Sequence, residues 1–191
     1  MLNIIVLGAP GAGKGTQSKL IADKYGLCHI ATGDLIREEI ASGSELGKLA
    51  ASLIDHGNMV PDEVAIDMLI AKLNRNETQN GYVFDGFPRN LQQAHFFSQF
   101  AQNNLFKLHR VIYLEADKDL LTTRLLNRGK ILNRPDDRSE EIINLRFQLY
   151  NQKTYPVISY YLEQNICSIV QSNQSVNNVF TSICEIIDTF D

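Results

Sequence analysis

The chain lacks an excess of positive charge. Its 191 residues carry 18 Lys and Arg against 22 Asp and Glu, a formal charge of −4 at pH 7, and nothing in that balance points to a nucleic-acid partner. Paired cysteines are also missing. Cys28, Cys167 and Cys184 show no CxxC spacing and each sits in an apolar-rich stretch, which reads as buried free thiols in a reducing compartment. Long hydrophobic runs are absent too. The first, Leu2 to Leu7, is too short for a signal segment or a membrane span and has no basic flank, so the expectation is a cytosolic protein with no membrane partner. His29, His56, His95 and His109 have no ligand spacing and read as packed or surface side chains. No repeat or low-complexity segment occurs, and there is no Asn-Lys-x-Asp guanine reader of the GTPase kind.

What is present is ordinary globular material, 44% hydrophobic and 21% charged, long enough to bury a substantial core in one domain with small inserts. Apolar runs of strand length fall at Asn3–Leu7, Cys28–Ala31, Tyr82–Asp85, Arg110–Glu115 and Ile166–Val170. Helical patterns fall between them, at about Lys14–Lys24, Asp34–Ser42, Leu46–His56, Asp62–Asn74, Leu91–Gln102, Asp117–Asn127, Glu140–Glu163 and Val176–Asp188. Alternating β and α elements predict an α/β fold, a parallel sheet with helices on both faces. Gly43, Gly47, Gly57 and Pro61 punctuate one insert-like stretch, and Gly129 to Arg138 is polar and reads as an irregular loop.

The strongest chemical signal is Gly8-Ala9-Pro10-Gly11-Ala12-Gly13-Lys14-Gly15-Thr16, which follows a strand and opens a helix. Glycines allow backbone N–H groups to turn inward around phosphate oxygens, the helix N-terminus adds partial positive charge, and Lys14 supplies a point charge for the β and γ oxygens. The usual loop places Ser or Thr directly after the Lys as a Mg²⁺ ligand. Gly15 stands there instead and Thr16 comes one later, so Mg²⁺ bound with ATP would be held by phosphates and water. Asp85, at the end of a strand, is the candidate carboxylate for a water-mediated contact.

Three separated motifs carry a resemblance over essentially the whole chain: GAPGAGKGTQ at 8–17, Ala31-Thr32-Gly33-Asp34-Leu35-Ile36-Arg37, and Phe84-Asp85-Gly86-Phe87-Pro88-Arg89. With the arginine-rich stretch from Arg124 to Arg146, the sequence resembles the adenylate kinases, in their short-lid form. The resemblance implies a P-loop three-layer fold with a five-stranded parallel sheet and a single kinase domain. Its core would be residues 1–30, 61–123 and 139–191, with a monophosphate-binding insert at 31–60 and a lid at 124–138. It implies a monomer acting on ATP, AMP and ADP. The short lid has no cysteines, so the zinc site of some long-lid members cannot be built.

Site roles follow from the same resemblance. Gly11, Ala12, Gly13, Lys14, Gly15 and Thr16 would bind ATP, with Arg124 over the donor adenine and Arg128 on the phosphates. Thr32, Gly33, Arg37, Met59, Val60, Gly86, Arg89 and Gln93 would hold AMP. Guanidinium forks at Arg37 and Arg89 match its phosphate, Met59 and Val60 cover its base, and the Gln93 amide reads the base edge, although an amide can flip and read other edges. Arg134 and Arg146 also belong to the AMP side, and Lys14, Arg89, Arg128, Arg134 and Arg146 would surround the transferring phosphoryl group. Asp137 to Arg146 is one residue longer than the short-lid pattern, leaving Arg138 as the alternative to Arg146. Asp136 and Asp137 match a lid pair, and Asp137 with Glu140 reads as a capping box. Tyr160 and Tyr161 read as packing. UMP/CMP kinases share the Phe87-Pro88-Arg89-Asn90 pattern but resemble Ala and Asn at positions 32 and 93, where this chain has Thr and Gln. A non-enzymatic nucleotide switch is the alternative from another class.

Overall fold

The computed structural model describes residues 1–75, 80–103 and 107–189. Its first strand, β1 (Leu2–Gly8), is buried on both faces from Asn3 onward, as a central parallel strand must be. The order along the chain continues α1 (Lys14–Tyr25), β2 (Cys28–Ala31), α2 (Thr32–Ser42), α3 (Glu45–Ile54), α4 (Asp62–Arg75), β3 (Gly81–Asp85), α5 (Leu91–Asn103) and β4 (Arg110–Glu115). It ends with α6 (Lys118–Leu132), a 3₁₀ turn (Pro135–Asp137), α7 (Glu140–Leu149), a π-helical turn (Tyr150–Thr154), α8 (Tyr155–Glu163), β5 (Cys167–Gln171) and α9 (Val176–Ile187).

The five strands are all parallel in the order β2-β3-β1-β4-β5. Alternate residues of β1 feed opposite layers. Ile4 and Val6 pack with Ile21 of α1, Leu125 of α6 and Ile183 of α9. Ile5 and Leu7 pack with Leu69 of α4, Phe97 of α5 and Val157 of α8. Because β1 lies between β3 and β4, the strand order reverses at its C-terminal end, where open α/β sheets bind ligands.

A third, smaller apolar cluster lies where α2 and α3 meet the start of α4, with Ile36, Ala50 and Val60 at its centre. Here α3 packs backbone to backbone on α2: a Cβ on Gly47 would lie 2.2 Å from the Glu39 carbonyl oxygen. Ser44 caps α3 by accepting from Gly47 N–H at 2.9 Å.

Three expectations change. The segment from Gly129 is not irregular. α6 continues to Leu132 and stops at left-handed Asn133, and the 3₁₀ turn follows. Gly129 permits this, because any Cβ there would meet the Asp137 carbonyl oxygen at 2.6 Å. The long helix expected over 140–163 is broken by the π-helical turn, just before Pro156, which lacks the N–H that a continuous helix needs. Finally, all three cysteines are free but only Cys184 is fully buried, since Cys28 and Cys167 lie near the two edges of the sheet. No helix among the described residues is long and apolar enough to cross a membrane.

Candidate active site

The loop from β1 to α1 lines the base of a cleft of about 610 Å³. Gly11 and Gly13 hold φ values of 84° and 92°, left-handed geometry that glycine adopts without steric cost. Gly13 precedes α1 and no side chain caps that helix end, which leaves its first-turn N–H groups and positive dipole end free for an anion. Lys14 lies across its own loop, donating from Nζ to the carbonyls of Gly8 at 2.8 Å and Ala9 at 3.0 Å. Desolvation lowers its pKa to about 8. Asp85 pulls the other way, and Arg89, Arg128 and Arg146 add to the lowering.

Gly15 has a local reason to be glycine: a Cβ would lie 3.2 Å from Asp85 Oδ2. The carboxylate therefore closes on the loop at the position where a hydroxyl side chain is usual. His29 Nε2 lies 4.0 Å from the same oxygen, and burial holds that imidazole's pKa below its ordinary value against the pull of Asp85 and Asp34. Among the described residues there is no cluster of three or more His, Cys, Asp or Glu side chains fit to hold a metal ion.

The same cleft gathers most of the residues singled out in the sequence. Gly11, Ala12, Gly13, Lys14, Gly15 and Thr16 come from the loop and the start of α1, Gly33 and Arg37 from α2, Met59 and Val60 from the segment before α4, and Asp85, Gly86 and Arg89 from the end of β3 and the turn after it. Arg124, Arg128 and Arg134 come from α6 and the segment after it, and Arg146 from α7. Arg138 is exposed and outside this lining. Thr32 and Gln93 line a small adjoining cavity that shares Met59, Val60, Gly86 and Arg89. The Thr32 hydroxyl donates to the Gly86 carbonyl at 2.8 Å.

Five of the arginines are already held. Arg128 grips Asp137 bidentately, with Nε and an Nη at 2.7 and 3.1 Å. Arg146 pairs with both Asp137 and Asp136, Arg37 with Asp34, and Arg124 donates to the Ser172 carbonyl at 3.1 Å. Arg89 donates from Nε to the Gly86 carbonyl at 2.8 Å. Burial first, and then the neighbouring guanidiniums, lower the pKa of Arg89 and of Arg134. Asp137 is therefore not a helix cap. Its side chain is fully buried between two arginines, and Ser139 caps α7 in its place, accepting from Ile142 N–H.

Sequence reasoning missed several supports of the site. Thr154, in the π-helical turn, donates to the Arg89 carbonyl at 2.7 Å; the nearby Pro156 is a signal of helix disruption but not of that bond. Ser172, Gln174 and Val176, after β5, line the cleft beside Arg124. Asp62 accepts from the Gln93 amide at 2.7 Å and from Asn90 at 2.8 Å; Pro61-Asp62 reads only as a helix start.

A family model described as adenylate kinase matches residues 6–166. The chain is 42% identical over 188 residues to an adenylate kinase of Flavobacterium psychrophilum, covering 98% of this chain and 99% of that protein. It is 40% identical over 188 residues to one from Bacteroides thetaiotaomicron, with the same coverage. It is 41% identical over 188 residues to adenylate kinase isoenzyme 1 of Rattus norvegicus, covering 97% of this chain and 94% of that one. The family match over residues 6–166 and near-complete coverage in three relatives, together with the glycine loop and arginines gathered in one cleft, establish that the chain belongs to the adenylate kinase family.

Proposed function

We propose that this cleft carries out the reversible, Mg²⁺-dependent transfer of the terminal phosphoryl group of ATP to AMP, giving two ADP. The observation that carries the reading is the joining, in one cleft, of an uncapped helix start and Lys14 with Arg89, Arg128, Arg134 and Arg146. Such an arrangement suits two polyanions meeting end to end.

On this reading the loop from Gly11 to Thr16 holds the ATP phosphates through backbone N–H groups, and Arg124 covers the donor adenine. The insert, residues 31–60, and the end of β3 receive AMP. Arg37 and Arg89 take its phosphate, Met59 and Val60 face its base, and Thr32, Gly33, Gly86 and Gln93 shape the pocket. The acceptor phosphate oxygen is itself the nucleophile, so no side chain need remove a proton. In-line alignment and neutralised equatorial charge are the remaining requirements. Lys14 and the four arginines meet them once Lys14, Arg89, Arg128 and Arg146 exchange their internal partners for phosphate oxygens. The lid, residues 124–138, brings Arg128 and Arg134 over the transferring group and excludes water, which would otherwise compete as acceptor.

Asp85, a single carboxylate beside the loop, fits a Mg²⁺ that keeps most of its ligands as water and phosphate oxygens. Bound with ATP, that ion would supply neutralisation of phosphate charge. The composition suits a monomer of the cytoplasm, the state the family resemblance implies.

The test is a coupled assay with Mg·ATP and a panel of AMP, CMP, UMP and GMP. The highest specificity constant is expected for AMP. A preference for CMP or UMP would move the assignment to a pyrimidine kinase of the same fold. Nucleotide binding without turnover would make the chain a binding module.

A further inference from the structure

We infer that Asp62 is a specificity-positioning residue: its carboxylate locks the Gln93 amide in the single orientation that accepts from an exocyclic amine and donates to a ring nitrogen. The inference rests on the reading that Gln93 faces the acceptor base.

An amide side chain presents a carbonyl and an amine that can exchange places by a half-turn, and which one faces a ligand depends on its other partners. Here both partners are one-sided. Gln93 Nε2 donates to Asp62 Oδ1 at 2.7 Å, and Gln93 Oε1 accepts from the Arg89 backbone N–H at 2.7 Å. A carboxylate only accepts and a backbone N–H only donates. A half-turn would set carbonyl against carboxylate and amine against N–H, losing two hydrogen bonds and creating two repulsions.

Asp62 is itself fixed. Asn90 Nδ2 donates to both of its oxygens at 2.8 Å, and Asn90 Oδ1 accepts from the Gln93 backbone N–H at 2.8 Å, so the Asn90 amide cannot turn either. The side chain of Gln93 is almost wholly buried, and it lines the small cavity with Thr32, Met59 and Val60. After its internal bonds, one Nε2 proton and one Oε1 lone pair are left for a ligand in that cavity.

That pattern selects a class of base. Adenine offers an amine donor at N6 and an acceptor at N1, and cytosine offers the same pair in a smaller ring. Hypoxanthine, guanine and uracil offer the reverse, an oxo acceptor beside an N–H donor, and would need the half-turned amide. The cleanest probe is IMP against AMP, since the two differ only along this edge.

The experiment measures kcat/KM for AMP and IMP in the wild type, Asp62→Asn, Asp62→Ala, Gln93→Leu and the Asp62→Asn/Gln93→Leu double variant. The AMP:IMP ratio is unaffected by any loss of folded protein. It is expected to fall about tenfold in each Asp62 variant, the worth of roughly one hydrogen bond, with the change carried by the acceptor KM. In the Gln93→Leu background the Asp62 change should add nothing. If both Asp62 variants weaken AMP and IMP equally while Gln93→Leu collapses the ratio, Asp62 is only a tether and the inference is overturned. If Gln93→Leu itself leaves the ratio intact, the underlying reading of Gln93 fails, and the inference with it.

Discussion

The glycine loop and the arginine cluster face one cleft but are built on opposite principles. The loop offers backbone N–H groups whose direction is set by main-chain geometry at Gly11 and Gly13, and its one cation, Lys14, rests on two neutral carbonyls. An anion arriving there meets no competing carboxylate in direct contact with that ammonium. Arg89 and Arg124 also rest on carbonyls, but three arginines are held in waiting by acids: Arg128 and Arg146 on Asp137, Arg146 on Asp136, and Arg37 on Asp34. A phosphate arriving there must displace a carboxylate or share its guanidinium. The difference shows how a chain of net charge −4 gathers cations in one place before its substrates neutralise them.

The two sides should therefore fail differently. Chelating Mg²⁺ should abolish turnover outright while leaving the melting temperature of the nucleotide-free protein nearly unchanged, because the only carboxylate invoked is Asp85. A large melting shift on chelation would mean a structural metal and would break the contrast. Lys14→Met should come next, lowering kcat on the order of 10²-fold or more with the fold intact by circular dichroism; near-normal turnover would remove Lys14 from the chemistry.

On the other side, Arg89→Lys keeps the charge but loses the planar fork. It should lower kcat about tenfold or more, the scale of one charge-assisted hydrogen bond, and raise the KM for AMP as well. Full activity at saturating AMP would make Arg89 a peripheral anchor. Asp137→Asn should act on stability. It removes the negative charge and one of the two acceptor oxygens that the two arginines share and sets an amide NH₂ against a guanidinium, at about 1–3 kcal/mol, discounted because Arg128 is part-exposed. That corresponds to roughly 2–4 °C of Tm per kcal/mol for a protein of this size. An unchanged Tm would mean the cluster needs no acid to stay assembled.

The smallest effect is a pH dependence that sharpens the loop's side of the comparison. Lys14 acts as the ammonium, the form present below its pKa, and burial lowers that pKa to about 8. The kcat/KM for ATP, which reports the free enzyme, should decline as pH rises through about 8. Saturating ATP brings negative charge to the ammonium and raises its pKa, so kcat should hold to higher pH. Parallel profiles for the two constants would argue against a depressed Lys14.

This contrast also explains what was legible beforehand. Gly8 to Thr16 is a local signal: glycines, a lysine, a strand before and a helix after lie within one contiguous stretch, and local backbone geometry follows from local sequence. The arginine positions were legible only as a family pattern, and their partners were not legible at all. Asp137 looked like a cap because Glu140 follows three residues later. Its burial between Arg128 and Arg146 depends on α6 running on to Leu132 and on Gly129 admitting the Asp137 backbone. The π-helical turn that aims Thr154 at the Arg89 carbonyl is a tertiary outcome, since helical periodicity continues on both sides of it. Gln93 stood out in the sequence as a candidate base reader, but the hydrogen bond of its amide to Asp62, 31 residues away in sequence, was not legible.

The most direct test of the central claim, transfer from one nucleotide to another within a cleft that excludes water, is the stoichiometry of the reaction. Purified chain would be incubated with equimolar ATP and AMP and excess Mg²⁺, and all nucleotides and free phosphate followed by ³¹P NMR. The account predicts that AMP disappears one for one with ATP, that two ADP form for each ATP lost, that no free phosphate accumulates, and that ADP alone regenerates ATP and AMP. Loss of ATP to one ADP and one free phosphate, with AMP untouched, would contradict it.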